Sequence, residues 1–231
     1  MKNKNPLNPK KFKNLDEEAL KIGIGGKFSP EKDENLYKER MKKRKDIQTK
    51  RLSTRKNEKG LVIVFTGNGK GKTTAALGMA LRTIGHGHKV AIIQFIKGAW
   101  ETGEEKAFKK LSTNIAWHSL GEGFTWETQN RIKDQTLVKK AWELAKVYLQ
   151  DKTYKLVILD EINIALKLGY ITAEEIISFI KNLKDKKEHC VLTGRGAPKL
   201  ILDFADLVTE MKLIKHPFKE QGIKAQKCIE Y

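Results

Sequence analysis

The chain has 231 residues, 39% of them hydrophobic, and a formal net charge of +18 at pH 7. That length supports one substantial core, and its two cysteines, Cys190 and Cys228, lie outside any C-x-x-C pair, which leaves little for a disulfide framework or a zinc site and reads both as packing residues. No run of about 18 apolar residues occurs and "MKNKNPLNPKKFKN" lacks the apolar stretch of a secretory signal, so the sequence argues against a membrane partner and for a cytoplasmic location.

Residues 1–59 hold 19 Lys and Arg against 9 Asp and Glu, so the positive excess is concentrated in the first quarter of the chain. Residues 1–33 combine lysine with Pro and Gly and have few large apolar side chains, too little to offset ordering entropy; they read as a basic, poorly ordered extension. Residues 34–52 contain no Gly or Pro and space Leu36, Tyr37, Met41, Ile47 and Leu52 in a roughly helical way, which predicts a basic helix, with a linker to residue 58. Residues 59–231 form the main domain.

There the pattern becomes regular. "LVIVFT" (61–66) is a buried strand leading into a glycine-rich loop and the helix "KTTAALGMALRTIG", ended by Gly85. Further strands follow at 89–95, 113–119, 155–161 and 188–194, with shorter candidates at 206–211 and 223–231. Between them, Val138, Ala141, Trp142, Ala145, Tyr148 and Leu149 mark one face of a helix over 131–150. Thr172 and Glu175 form a capping box ahead of the stripe Ile176, Phe179, Ile180 and Leu183. Near-continuous apolar strands alternating with helices predict an α/β fold, a mostly parallel central sheet with helices on both faces.

Three stretches carry chemistry. The loop "TGNGKGKTT" (66–74) approximates the phosphate-binding pattern G-x-x-x-x-G-K-[ST], with Thr66 where glycine is usual. Gly67, Gly69 and Gly71 let the backbone curl round phosphate oxygens, and the helix N-terminus behind it favours an anion. Asn68, Lys70 and Thr74 complete the loop, Lys72 supplies a charge to the phosphates, and the Thr73 hydroxyl is a Mg²⁺ ligand. The second stretch, "LVILDEI", ends a strand on Asp160 and Glu161, an acidic pair suited to Mg²⁺ directly or through water; periodicity leaves open how the two divide that work. The third is "GEGFTWETQN" (121–130), where Phe124 and Trp126 stand in a polar loop after a strand, either tucked into the core or placed to contact a large flat substrate.

In order along the chain, "KGLVIVFTGNGKGKTTAALGMALRTIGHGHKV", "QFIKG", "GFTWETQN", "LDEIN", "TGRGAPKLILDFADLVTEM" and "IKHPFKEQGIKAQKCIEY" resemble the P-loop type of ATP:cob(I)alamin adenosyltransferase over residues 35–231. The resemblance implies a RecA-like P-loop fold and a homodimer. It implies transfer of the 5′-deoxyadenosyl group of ATP to the Co(I) centre of a corrinoid, with triphosphate as the leaving group and no protein nucleophile. It further implies Mg²⁺, with Mn²⁺ as a substitute, held by Thr73 and Glu161 with Asp160 in support, and an electron donor such as a flavodoxin or other flavin reductant. Phe124 and Trp126 match aromatics that pack under the corrin ring and help exclude its lower axial ligand. Arg82 and Arg195 match positions assigned to nucleotide contacts, and the 34–52 helix matches a segment lying over the partner subunit's site. The five histidines, His86, His88, His118, His189 and His216, are scattered and read as loop, packing or surface residues. The charge also admits a nucleic-acid-stimulated ATPase of RecA-like fold, but no basic strand interleaved with aromatics offers a platform for single strands, which speaks against nucleic acid.

Overall fold

The computed structural model describes residues 17, 34–96, 102–111, 113–120, 130–183 and 187–229. Most of residues 1–33, and both Phe124 and Trp126, lie outside the described residues. The chain divides into two compact units, 1–58 and 59–231.

In the first unit, α1 (Glu34–Thr54) forms the expected basic helix. Its apolar stripe is weak: Leu36, Tyr37 and Leu52 are exposed, and Ile47 is buried. The second unit runs β1 (Val62–Thr66), α2 (Lys72–Gly85), β2 (Lys89–Gln94), α3 (Gly103–Leu111), β3 (Ile115–Ser119), α4 (Arg131–Gln150), β4 (Tyr154–Asp160), α5 (Ile162–Lys167), α6 (Ala173–Asn182), β5 (His189–Thr193), α7 (Lys199–Phe204), β6 (Leu207–Glu210) and α8 (Pro217–Gln221). The six strands form one sheet of order β3-β2-β4-β5-β1-β6, and every described pairing is parallel.

Both sheet faces are covered because successive side chains along a strand point to opposite sides. Val62, Val64, Ala91, Ile93, Val157, Leu159 and Leu192 meet the α4 face of Val138, Ala141, Trp142, Ala145 and Leu149, together with Ile176 and Ile201. Ile63, Phe65, Val90, Ile92, Leu156, Ile158 and Val191 meet Ala76, Leu77 and Ala80 of α2 and Phe108 of α3. Strands apolar on both sides are the reason their sequences read as continuous runs instead of alternating ones. Local signals close the helices: Asn130 accepts from the Lys133 amide at 3.0 Å to start α4, and Thr172 accepts from the Glu175 amide at 3.2 Å to start α6.

Two expectations are overturned. Residues 223–229 are irregular and turn instead of strand. Cys228 has φ 72, which an extended strand cannot hold, and Ile223 and Ile229 stay exposed with no ladder to join. Cys228 is also exposed and so is not the packing residue expected, whereas Cys190 is fully buried in the sheet as expected.

The half-buried imidazole of His118 gives the fold a pH response. Its Nε2 lies 2.7 Å from the Tyr148 hydroxyl, and burial lowers its pKa below the ordinary 6.5. Between the lowered value and 6.5 the unfolded chain binds more protons than the folded one, so stability falls as pH drops through that window. Denaturant titration from pH 7 downward should show this loss, and His118→Gln should reduce it.

Candidate functional site

All six strands end in a polar residue at the same edge of the sheet: Thr66, Gln94, Ser119, Asp160, Thr193 and Glu210. The register sets Gln94 beside both Ser119 and Asp160, and Thr66 beside Glu210. The carboxyl edge of a parallel sheet is where such folds bind ligands, above all where the chain changes direction across the sheet. Here that change is pronounced, since β1 is followed by β2 three places away, and β4 later returns to lie between β2 and β5.

At the change of direction stands the loop 66–74. Gly67 and Gly71 adopt φ 93 and 103, and α2 begins at Lys72, so the amides of the first helical turn face the loop. Lys72 is buried, with Nζ donating to the carbonyls of Gly67 at 3.0 Å and Gly69 at 2.6 Å. Burial first, then the charges of Arg195 and Lys70, lower its pKa from 10.5, against Glu161 and Asp160, which raise it. A cation held in this way gains when an anion replaces the carbonyls. The outer side of the loop packs on the end of β6: the Gly69 amide donates to the Met211 carbonyl at 2.6 Å, and the Met211 amide to the Thr66 carbonyl at 2.8 Å.

Thr66, the departure from the phosphate-loop pattern, has a structural partner. Its hydroxyl accepts from the Ala197 amide at 3.2 Å, tying the end of β1 to the turn that carries Arg195. The Asn163 side chain, on α5, donates to the Gly194 carbonyl of that turn at 3.2 Å.

Asp160 is the centre of the edge and is almost fully buried. Its Oδ1 accepts from Thr73 Oγ1 at 2.9 Å and from Thr193 Oγ1 at 2.7 Å, while Oδ2 accepts from Gln94 Nε2 at 2.9 Å. Thr193 Oγ1 in turn accepts from the Glu161 amide at 2.9 Å. Glu161 sits at φ 61, a left-handed conformation that costs a non-glycine residue of order 1–3 kcal/mol and turns the chain sharply from β4 into α5.

The structure therefore brings Gly67, Asn68, Gly69, Lys70, Gly71, Lys72, Thr73, Thr74, Asp160 and Glu161 to one edge. Arg195 joins them, lining with Asn68, Lys212, His216, Phe218 and Lys219 a cavity of about 740 Å³ beside the loop. Arg82 stays outside this cluster: it is exposed in the last turn of α2, about 15 Å along the helix axis from Lys72. Sequence reasoning missed Gln94, Thr193 and the basic lining from Lys212 and Lys219. A polar residue closing an apolar strand, as in "AIIQ" and "VLT", was the available signal for the first two.

A parallel α/β sheet with an anion-binding loop, a buried lysine and an acidic strand end at its carboxyl edge defines a nucleotide-binding protein. The family described as ATP:corrinoid adenosyltransferase BtuR/CobO/CobP matches residues 58–231, and the chain belongs to that family. It is 48% identical over 209 residues to a corrinoid adenosyltransferase of a Sinorhizobium species, covering 90% of this chain and 97% of the relative. It is 46% identical over 203 residues to the corrinoid adenosyltransferase of Pseudomonas aeruginosa, covering 88% and 98%. With corrinoid adenosyltransferase CobA of Salmonella typhimurium it shares 42% identity over 195 residues, covering 84% and 97%. The activity of the family is ATP-dependent adenosyl transfer to the cobalt of a corrinoid, in cobalamin biosynthesis or salvage. Among the described residues no helix is long and apolar enough to cross a membrane.

Proposed function

We propose that the loop 66–74 holds the triphosphate of ATP as a leaving group while the Co(I) centre of a corrinoid attacks C5′ of the ribose. One cobalt–carbon bond forms, the C5′–O bond breaks with its electron pair going to the phosphate oxygen, and triphosphate leaves whole. The observation that carries this reading is the hydrogen bond of Thr73 to Asp160, which joins the phosphate loop to the acidic strand end. The reaction needs no protein nucleophile, so the protein's tasks are orientation and charge neutralisation.

In this reading Lys72 and the amides of residues 67–74 take the phosphates, and Arg195, with the basic cavity beside it, takes the remaining negative charge. Arg82, remote from the loop along α2, is assigned a nucleotide contact only by family likeness. Hard oxygen donors at Thr73, Asp160 and Glu161 suit Mg²⁺ or Mn²⁺, which bind through one or two carboxylates together with phosphates and water. Among the described residues no cluster of three or more His, Cys, Asp or Glu forms a metal site, and a cation completed by phosphates requires none. Bound there, the cation would neutralise charge accumulating on the triphosphate.

Phe124 and Trp126 are assigned to the corrin ring's lower face, where they help exclude the axial ligand and make Co(II) easier to reduce. A RecA-like P-loop architecture accords with β5 standing between the loop-bearing β1 and the acidic β4. A homodimer, a flavodoxin or other flavin reductant, a cytoplasmic location, and the division into extension (1–33), helix and linker (34–58) and catalytic domain (59–231) complete the proposal.

Incubation with ATP, Mg²⁺ and chemically reduced cob(I)alamin should give a light-sensitive cobalt–carbon product and triphosphate in equal amounts. Release of single phosphates, or no cobalt–carbon product, would refute it.

A further inference from the structure

We propose that Gln94 is a positioning residue for Asp160, and that Trp117 and Ser119 at the end of β3 hold it in register. The inference rests on the reading of Asp160 as part of the nucleotide–metal site.

Gln94 is 1% exposed, and a buried amide needs its hydrogen bonds satisfied. Its Oε1 accepts from Trp117 Nε1 at 3.2 Å and from Ser119 Oγ at 2.8 Å. An indole N–H can only donate, so the amide oxygen must face β3 and the amide nitrogen must face β4. There it meets a carboxylate, which when ionised can only accept, at 2.9 Å. The orientation of Gln94 is thus fixed from both ends by chemistry.

The consequence falls on Asp160. With Oδ2 engaged by Gln94, the carboxylate plane is set, and Oδ1 is turned to the two hydroxyls of Thr73 and Thr193. The row Trp117–Gln94–Asp160–Thr73 spans β3, β2, β4 and the start of α2, so a change at Asp160 is felt at the indole. Without the amide, the carboxylate could rotate and Oδ1 would leave the side facing Thr73.

The test measures ATP binding to the full chain by calorimetry, with and without Mg²⁺. Loss of an outer partner that orients a metal-binding carboxylate costs about 10–100-fold in metal affinity. Gln94→Leu should therefore raise the Mg²⁺ concentration that half-restores tight ATP binding by about that factor. Metal-free ATP affinity should stay unchanged, since the phosphate loop itself is untouched. A merely structural role would lower both affinities together or neither, and either result overturns the proposal. If Gln94→Leu fails to fold, Ser119→Ala and Trp117→Phe each remove one of the bonds holding the amide and should show the same split in smaller measure; their failure to do so also overturns it.

A second readout is the indole N–H resonance of Trp117, assigned by its disappearance in Trp117→Phe. It should move when Mg²⁺ is added to the ATP-bound wild-type protein, and an unmoved resonance counts against the relay. Asp160→Asn separates the two levels of the argument. If that variant leaves the Mg²⁺ requirement unchanged, the reading of the site fails; if it alters the requirement and Gln94→Leu does not, only the role of Gln94 fails.

Discussion

Lys72→Met should lower kcat/KM for adenosyl transfer by about 10²–10³-fold, the usual effect of deleting one preorganised group that stabilises charge developing in the transition state. The same substitution should leave the ligand-free protein at least as stable as the parent. Burial disfavours the Lys72 ammonium, and the charges of Arg195 and Lys70 add to this; together they outweigh the opposing charges of Glu161 and Asp160, as the lowered pKa records. The sign can be followed in pH. Between the lowered value and 10.5 the unfolded chain binds more protons, so the ligand-free protein becomes more stable as pH rises through that window. ATP binding runs the other way, because the phosphates need the protonated amine. Metal-free ATP affinity should fall as pH climbs through the lowered pKa, and Lys72→Arg should move that fall to higher pH. Thermal melts and ATP titrations across alkaline pH check both halves, and a destabilised, fully active Lys72→Met would contradict them.

The six strands and the helices α2, α4 and α6 were legible because each is specified locally, whereas the shorter α3, α5, α7 and α8 were not read. Runs such as "LVIVFT" and "KLVILDE" are apolar on both sides, and Thr172 with Glu175 announces α6 through a cap. The reading failed at 223–229 because a short stretch with apolar residues states only that a segment could join a sheet, not that an edge awaits it. β6 ends the sheet exposed, and the left-handed Cys228 interrupts the extension needed to pair there. For the site, the anion loop and acidic strand end could be read because their residue types and order imply their contacts. Gln94 and Thr193 could not be read in the same way. They matter through the strand order β2-β4-β5, which places three strands distant in sequence side by side and converges two side chains on Asp160. Likewise Thr66 looked like a defect in a motif until its partner, the Ala197 amide, was 131 positions away in sequence and adjacent in space.

Gly67→Ala should be the most damaging single change to the loop that deletes no functional group. Gly67 has φ 93, and a β-carbon there would lie 2.4 Å from the Met211 carbonyl oxygen and 2.8 Å from the Met211 nitrogen. Those are backbone atoms, and a rotamer change cannot move them aside. The same Met211 receives a bond from the Gly69 amide and gives one to the Thr66 carbonyl, so pushing it away loosens both. A left-handed alanine costs about 1–3 kcal/mol, and the two bonds contribute about 1 kcal/mol each, so a total on the order of 4 kcal/mol is expected. For a unit of this size that corresponds to a fall in Tm of roughly 10 °C. ATP affinity should fall with it, since the amides of residues 67–71 no longer converge. Gly78, inside α2, is the matched control: a β-carbon there meets nothing within 4 Å, so Gly78→Ala should raise stability by about 0.5–1 kcal/mol and leave ATP affinity unchanged. If Gly67→Ala melts and binds ATP like the parent, the loop is not braced by the end of β6. The requirement for glycine at that position would then have to come from the nucleotide alone.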